Sequence, residues 1–473
     1  MKVWTRTSQR GAAAMAVGTT LLLPLAAPAV ADPAPAPAAP KPAAPATPKP
    51  AAPAKPAAPA PAASAAPVAG VHVTKTFWYS SNRVALWVHS PAMNTDIQVQ
   101  LLLARDWFAS PSARFPQLYT LDGLRAQDDQ SGWIINTKIE DFYRDKNVNV
   151  VMPIGGESSF YTDWKQPDRG KNYQWETFLI KELPTVLQGD WRSTDVRGVQ
   201  GLSMGGSAAM MLAARNPGFF KFAASYSGFL QLSSYGMPQA IQFAQRDGGG
   251  YDSERMFGPP SDPAWKEHDP YLLADKLRGT SLYISSGNGV VGPNDKPSDI
   301  PLLATNYSGV GLELLARTTS QQFATKLSKD GIPAQVVYRP SGTHTWPYWE
   351  FEMQQSWPQA ATALGLSGDR VACKTGDAFK KAPQVKGLGG CLTPQYPVPG
   401  GFAQDFRNGR IFTGPKGPKT VGGAIGGAYV PAFASLGLPT SNEQTSKDGK
   451  AKFNTFEHGK ISWTPNGGAR VER

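Results

Sequence analysis

The sequence predicts an α/β domain with a mostly parallel central sheet, and two observations carry that prediction. Apolar runs typical of buried strands alternate with longer runs typical of helices across residues 71–367. In addition, the stretch "GLSMGG" (201–206) places Ser203 between a predicted strand and an alanine-rich helix. Glycines on both sides of a serine at such a junction allow the sharp turn that presents a nucleophile.

The predicted strands are short apolar runs, several of them without the alternation of a half-exposed strand. They are "IQVQLLLA", "FPQLYTLDG", "VNVVMPIGG", "VRGVQGLS", "FKFAASYSG", "SLYISSGNG" and "AQVVYRPSG". The predicted helices lie between them and are "NYQWETFLIKELPTVL", "GSAAMMLAARNP" and "LLARTTSQQFATKLSKDG". The last two end in Asn-Pro and Asp-Gly, which commonly stop helices.

The first 70 residues are not predicted to join this domain. Residues 1–31 combine a basic start, a short apolar stretch and the small residues "AVA" before Asp32, as in a secretory signal peptide. Residues 32–70 are almost entirely Ala and Pro with spaced Lys, which predicts a semi-rigid disordered linker. An exported protein that has no transmembrane segment after signal cleavage is expected.

Residues 368–473 form a third region, rich in glycine and loop-like. "QDFRNGRIF" (404–412) is echoed by "NTFEHGKIS" (454–462), which predicts a small repeat module. The chain's two cysteines, Cys373 and Cys391, lie in this region. In an exported protein they are expected to form a disulfide, although two free thiols remain an alternative.

A serine hydroxyl needs a base to act as a nucleophile at neutral pH. In α/β-hydrolases the base follows the serine and the acid in the chain, which removes His72 and His89 from the five histidines. His458 lies in the repeat module, and of the remaining two only His344 directly follows a predicted late strand. His344 is therefore the predicted base by elimination.

Spacing in the sequence does not identify the carboxylate that would orient the histidine. Carboxylates between Ser203 and His344 that could serve are Asp252, Glu254, Asp262, Asp269, Asp295, Asp299 and Glu313. Glu313 is a charge within the apolar stretch "GVGLELLAR", but it fits a helix-surface glutamate equally well. The oxyanion hole requires two N–H groups, one predicted from Met204 and one from the segment "LDGLRAQDD" (121–129).

Charge and composition favour no other class of site. The formal net charge is +11, but no dense basic run suggests nucleic-acid binding. Apart from the two cysteines, no Cys/His cluster has metal-ligand spacing, and no metal or cofactor is expected.

Several long stretches resemble the antigen 85 family of mycolyltransferases: "LDGLRAQDD", "VMPIGGESSFYTDW", "WETFLIKELP", "GLSMGG", "GGGYDSERMFGPPSDPAW" and "GTHTWPYW". The resemblance covers residues 71–367 and implies an α/β-hydrolase fold. The tail, with "LGLPTSNE" and "FEHGKISWTP", resembles LGFP repeats, which implies binding to cell-wall polysaccharide.

The resemblance implies transfer of a mycolyl group from trehalose monomycolate, through a seryl intermediate, to a second trehalose monomycolate or to cell-wall arabinogalactan. It implies Ser203 as nucleophile, His344 as base and Glu313 as acid. The oxyanion N–H groups would be those of Leu124 and Met204, whereas Asp122, Arg125, His344 and Trp346 would hold the sugar. We expect an enzyme of the cell envelope, with a lipid esterase or a non-catalytic wall-binding protein as alternatives.

The sequence also departs from the family pattern. Ser286 replaces a family cysteine, and the family's cysteine pair after "SSFYTDW" is absent. Gln231 and Gln322 stand where mycobacterial members carry an acid and a lysine, so a different acceptor preference is expected.

Overall fold

The fold is built around a twisted sheet that runs through the predicted domain. The computed structural model describes residues 67–295, 307–369 and 372–473. The predicted signal peptide and nearly all of the predicted linker therefore lie outside the described residues. The strands of the central sheet are β1 (His72–Trp78), β2 (Arg83–Ser90), β3 (Thr95–Leu102), β4 (Phe115–Leu121), β5 (Asn149–Pro153), β6 (Ser193–Leu202), β7 (Phe222–Tyr226), β8 (Ser281–Ser286) and β9 (Ala334–Tyr338).

The strand order is β1-β2-β3-β5-β4-β6-β7-β8-β9. Strands β5, β4, β6, β7, β8 and β9 pair in parallel, whereas β1, β2 and β3 pair antiparallel at one edge. All seven strands predicted from the sequence are present in this sheet. The two additional strands, β1 and β2, were not predicted from the sequence; β1 is mostly polar, whereas β2 contains the apolar run "VALWV" (84–88).

Helices cover both faces of the sheet, as a parallel sheet requires. They are α1 (Gly132–Asn136), α2 (Ile139–Tyr143), α3 (Trp175–Thr177), α4 (Leu183–Gln188), α5 (Met204–Arg215), α6 (Met237–Gly249), α7 (Ser253–Phe257), α8 (Ala264–Glu267), α9 (Tyr307–Lys329) and α10 (Trp346–Ala363). The π-helical segment Phe178–Glu182 joins α3 to α4. Short 3₁₀ turns lie at Ala274–Leu277 and Pro383–Gly387.

Alternate side chains of the strands point to opposite faces of the sheet and pack into two hydrophobic cores. On β7, Ala223 packs into one core, and Phe222 and Tyr226 pack into the other. Helix α5 is buried from Met204 to Ala214 because its small residues let it lie close to β6 and β7. The residues just after β4, β6 and β9 consequently meet at the carboxyl edge of the parallel strands, where α/β sheets place their ligands.

The tail is more regular than the glycine content predicted. Its elements are β10 (Tyr396–Val398), β11 (Gly401–Phe406), β12 (Gly409–Thr413), β13 (Lys419–Val421), α11 (Gly423–Leu436), β14 (Gln444–Thr445), β15 (Lys452–Phe456), β16 (Gly459–Thr464) and β17 (Gly468–Glu472). They form two four-stranded antiparallel sheets. The loop-like interpretation was wrong because strands of two to six residues alternate with glycine turns at this spacing.

The repeated nonapeptides are equivalent β-hairpins. In the first hairpin Phe406 pairs with Gly409, and in the second Phe456 pairs with Gly459. Both glycines have a strongly positive φ, 149° and 145°, which a residue with a side chain rarely adopts. The matching isoleucines of the two hairpins are fully buried.

The tail packs against the central domain. Phe108, after β3, is enclosed by the rings of Tyr396, Phe412 and Phe433. The Arg410 guanidinium lies 4.2 Å from the centre of the Phe108 ring. One hydrophobic core therefore continues from the central domain into the tail.

The predicted disulfide between Cys373 and Cys391 is present. Cys391 packs against a small core of the tail that contains Phe379 and Phe406. The bond therefore ties the segment that leaves the central domain to the first repeat.

Candidate active site

Ser203 occupies a strained turn between β6 and α5. Its backbone angles are φ 51° and ψ −120°, which are unusual for a residue with a side chain. A Cβ on Gly201 would lie 2.3 Å from the carbonyl oxygen of Gly205, and a Cβ on Gly205 would lie 2.4 Å from that of Asp122. The glycines of "GLSMGG" are thus required by close backbone approach, and the strain holds the serine at the mouth of a cavity.

A continuous chain of hydrogen bonds starts at this serine. Nε2 of His344 lies 2.8 Å from Oγ of Ser203, and Nδ1 of His344 lies 2.7 Å from Oε2 of Glu313. Because an ionised carboxylate can only accept, Nδ1 carries the proton and Nε2 accepts from the serine hydroxyl. An imidazole held in this way can take the serine proton as the oxygen attacks an ester.

Glu313 is almost fully buried and is satisfied on both oxygens. Its Oε1 accepts hydrogen bonds from Oγ of Ser227 at 2.9 Å and from the backbone N–H of Gly287 at 2.6 Å. Ser227 in turn accepts a bond from Nε1 of Trp349 at 3.2 Å. These supporting residues were missed from the sequence, since no motif marks them. Asp299 lies outside the described residues, and of the other six open carboxylates the structure brings Glu313 to His344.

Leu124 and Met204, which the family resemblance implies as oxyanion donors, line the same cavity as Ser203. Met204 is the first residue of α5, so its N–H has no acceptor within the helix. Leu124 follows β4 and lines the same cavity as Ser203. Two N–H groups near a reacting carbonyl can stabilise the negative charge that develops on its oxygen.

Asp122 and Trp346 form a polar and aromatic corner of the cavity. Oδ2 of Asp122 accepts from the backbone N–H of Gly132 at 3.1 Å, whereas Oδ1 has no partner within the described residues. Burial raises the pKa of Asp122 to about 7, against hydrogen bonds that lower it. Trp346 packs edge-to-face on Trp133 and lies beside Gly132, where a Cβ would come within 2.5 Å of the indole.

Arg125, which the family resemblance implies as a sugar-binding residue, forms an ion pair with another side chain of this protein. Its guanidinium lies 2.8 Å from Oδ2 of Asp247 on α6. Both side chains are about two-thirds exposed, and both line the cavity. This ion pair therefore joins the loop after β4 to α6 at the cavity's edge, and it was not foreseen from the sequence.

The cavity has a volume of about 720 Å³ and is mostly apolar away from Ser203. Its apolar wall comes from α6 and α9 and includes Met237, Ile241, Leu312 and Leu315. Phe243 and Ile135 stand at the rim, with 73% and 46% of their surface exposed. A reactive serine thus lies between a polar corner and an apolar groove suited to an acyl chain.

The sequence profile of the putative esterase family matches residues 90–360, more than half of the chain. The diacylglycerol acyltransferase/mycolyltransferase Ag85A of Mycobacterium tuberculosis is 43% identical over 291 residues, which cover 60% of this chain and 81% of that protein. The chain belongs to the antigen 85 family.

Other antigen 85 relatives agree with this assignment. The diacylglycerol acyltransferase/mycolyltransferase Ag85C of Mycobacterium avium is 40% identical over 296 residues, covering 61% of this chain and 79% of that protein. The crystal structure of Mycobacterium tuberculosis MPT51 (FbpC1) matches with a TM-score of 0.50 and 28% identity, covering 59% of this chain and 97% of that one. The predicted α/β-hydrolase fold is confirmed.

The tail matches the LGFP repeat over residues 388–431 and 436–473. This chain is therefore a member of the antigen 85 family that also carries two LGFP repeats. Among the described residues, no helix is long and apolar enough to cross a membrane.

Proposed function

We propose that this chain is a secreted acyltransferase of the cell envelope. It moves a mycolyl group from trehalose monomycolate to a second trehalose monomycolate or to cell-wall arabinogalactan. The observation that carries the proposal is the hydrogen-bonded chain from Ser203 through His344 to Glu313 at the junction of an apolar groove and a polar corner. The names of the relatives, which include mycolyltransferase, indicate that the transferred acyl group is a mycolyl group.

In the first half-reaction, Oγ of Ser203 attacks the ester carbonyl while Nε2 of His344 takes its proton. Glu313 keeps the imidazole oriented and stabilises it once it is protonated. The N–H groups of Leu124 and Met204 stabilise the tetrahedral oxyanion. The carbon–oxygen bond to trehalose then breaks, and His344 returns the proton to the departing sugar oxygen, leaving the mycolyl group on Ser203.

In the second half-reaction, His344 takes the proton of an acceptor hydroxyl as that oxygen attacks the seryl ester. Ser203 leaves and recovers the proton. Asp122, Arg125 and Trp346, which together we call the sugar corner, hold the sugar of the donor and then that of the acceptor. A sugar bound there reacts in preference to water because it is held close to the seryl ester. The acyl chain occupies the groove between α6 and α9.

Hydrolysis is the second candidate, and one observation favours it. Arg125 is paired with Asp247, so the sugar corner is incomplete until that ion pair opens. Water could then intercept the seryl ester before an acceptor is bound. The same first half-reaction would give free mycolic acid in place of a glycolipid.

The test uses purified chain with trehalose monomycolate, and it follows trehalose dimycolate and free mycolic acid together. Transfer predicts dimycolate as the main product, with both products absent for Ser203→Ala. Free acid as the main product at every acceptor concentration would make the enzyme an esterase. Turnover that persists in Ser203→Ala would rule out Ser203 as the nucleophile.

For the tail, we propose binding to cell-wall polysaccharide through the two LGFP repeats. The full chain carrying Ser203→Ala should sediment with purified arabinogalactan–peptidoglycan, with excess trehalose present to occupy the sugar corner. A chain that stays in the supernatant would contradict this assignment.

A further inference from the structure

The antiparallel edge of the central sheet brings together two histidines that are far apart in the sequence. His72 on β1 is the direct cross-strand partner of His89 on β2, and His89 is the direct partner of Asp96 on β3. Direct partners lie on the same face of a sheet. The three side chains therefore form a row across β1, β2 and β3 at one edge of the sheet, and none of them lines the cavity that holds Ser203.

Hydrogen bonds fix the proton on the same nitrogen of both rings. Nδ1 of His72 lies 2.8 Å from the carbonyl oxygen of Gly70, and Nδ1 of His89 lies 3.0 Å from Oδ1 of Asp96. Both partners can only accept, so each Nδ1 carries the proton. Each Nε2 is then left with a free lone pair, which is the form of imidazole that binds a metal ion.

The separation of the two rings suits one shared ion. Their centroids are 5.4 Å apart, with the planes inclined by 35°. Two imidazoles bound to one tetrahedral ion, with metal–nitrogen distances of about 2.0–2.1 Å, have centroids roughly 5 Å apart. Both side chains are accessible to solvent, so an ion can reach them.

Asp96 supplies the support that metal-binding histidines commonly have. A carboxylate that accepts from Nδ1 orients the ring and makes Nε2 more basic. Asp96 is itself held by Oγ1 of Thr74, which donates to its Oδ2 at 2.6 Å.

We propose that His72 and His89 form a surface site for a divalent transition-metal ion that imidazole favours, such as Zn²⁺. Within the described residues no group of three or more His, Cys, Asp or Glu side chains is placed to hold an ion. The remaining coordination positions would therefore be filled by water, and Asp96 would act through His89.

A bound ion would fasten the edge strand β1 to β2. The tail packs against the same strand β1, because Gly427 lies against the Trp78 ring and Gly468 against the Phe77 ring. A Cβ at these glycines would come within 2.3 Å and 2.4 Å of the two rings. The proposed site is thus structural and independent of the proposed acyl transfer. An ion that binds only the folded chain raises its thermal stability.

The test is calorimetric titration of Zn²⁺ into the full chain without a histidine tag. One ion per chain is expected, and His72→Ala and His89→Ala should each weaken its binding at least tenfold. Asp96→Asn should weaken it by about 10- to 100-fold, as removal of such a support does elsewhere. His458→Ala is the matched control, because His458 is exposed in the second repeat and should leave the affinity unchanged.

A second readout is the melting temperature with and without Zn²⁺. The wild-type chain and His458→Ala should melt at a higher temperature with the ion, and His72→Ala should not. His72 is exposed, so this variant should remain folded without the ion. Unchanged Zn²⁺ affinity in both His72→Ala and His89→Ala, or loss of binding in His458→Ala, would overturn the proposal.

Discussion

Nε2 of His344 lies 2.8 Å from Oγ of Ser203, although 141 residues separate them in the chain. The distance is set by two loops at one edge of a parallel sheet, after β6 and after β9. A hydrogen bond of this length needs no further movement before the serine proton can be transferred. The two side chains are therefore placed for transfer of the serine proton to the imidazole.

Replacing Glu313 with glutamine tests the support of His344. Both oxygens of Glu313 accept hydrogen bonds, so an amide must turn its NH₂ group toward one set of donors. We expect kcat to fall by about 10³- to 10⁴-fold, as on losing the acid of a comparable triad. Steady-state kinetics measures this, with Glu254→Gln on the exposed surface as the control. Equal kcat values in the two variants would contradict the assigned role.

Asp122 should make stability depend on pH. Its folded pKa, about 7, lies above the ordinary value of 3.8 because the carboxyl is buried. Between these values the folded state keeps a proton that the unfolded state has lost, so the free energy of unfolding falls as pH rises. From pH 4 to pH 8 this contribution should fall by about 4 kcal/mol.

Urea denaturation of the wild-type chain and Asp122→Asn at both pH values checks this. The asparagine cannot ionise, so the wild type should lose stability relative to the variant as pH rises. A difference between the two proteins that stays constant with pH would show that the carboxyl is already ionised at pH 4.

The ion pair between Arg125 and Asp247 should affect binding more than stability. Both groups are exposed, and such pairs contribute about 0–1 kcal/mol. Asp247→Asn should therefore leave the melting temperature nearly unchanged but lower KM for the glycolipid severalfold, because Arg125 is freed for the sugar. Arg125→Ala should raise KM. A higher KM in Asp247→Asn would indicate that the pair itself forms part of the binding site.

Phe108 should couple the tail to the central domain. It is buried among three aromatic rings of the tail, and truncating a buried Phe to Ala costs about 3–5 kcal/mol. Phe108→Ala should lower the melting temperature clearly, whereas Phe402→Ala, whose ring is 44% exposed, should change it little. Similar melting temperatures for both variants would mean that the tail is attached without being part of the same folded unit.

Local patterns predicted the strands of the parallel sheet and the serine turn because buried strands and glycine-bounded turns leave continuous signals. His344 followed from the small number of histidines and the chain order. Glu313 did not follow from spacing, since a glutamate in a helix looks the same in the sequence whether it faces solvent or a histidine. The family resemblance implied Glu313 as the acid, and in the structure Glu313 lies beside His344.

Contacts between distant segments could not be predicted. The pairing of His72 with His89 depends on the register of β1 and β2, and β1 carries a mostly polar pattern. The packing of Phe108 depends on the tail, whose short strands read as loops. The engagement of Arg125 by Asp247 depends on where α6 begins and how it lies over the cavity.

Acylation of Ser203 is tested most directly by intact-protein mass spectrometry after a short incubation with trehalose monomycolate and rapid acid quenching. We expect a species heavier by one mycolyl group, with the added mass on the peptide that contains Ser203. Glu313→Gln should accumulate this species more slowly, and Ser203→Ala should not form it. An unmodified Ser203 peptide during active turnover, or the same added mass in Ser203→Ala, would contradict a seryl-acyl intermediate at Ser203.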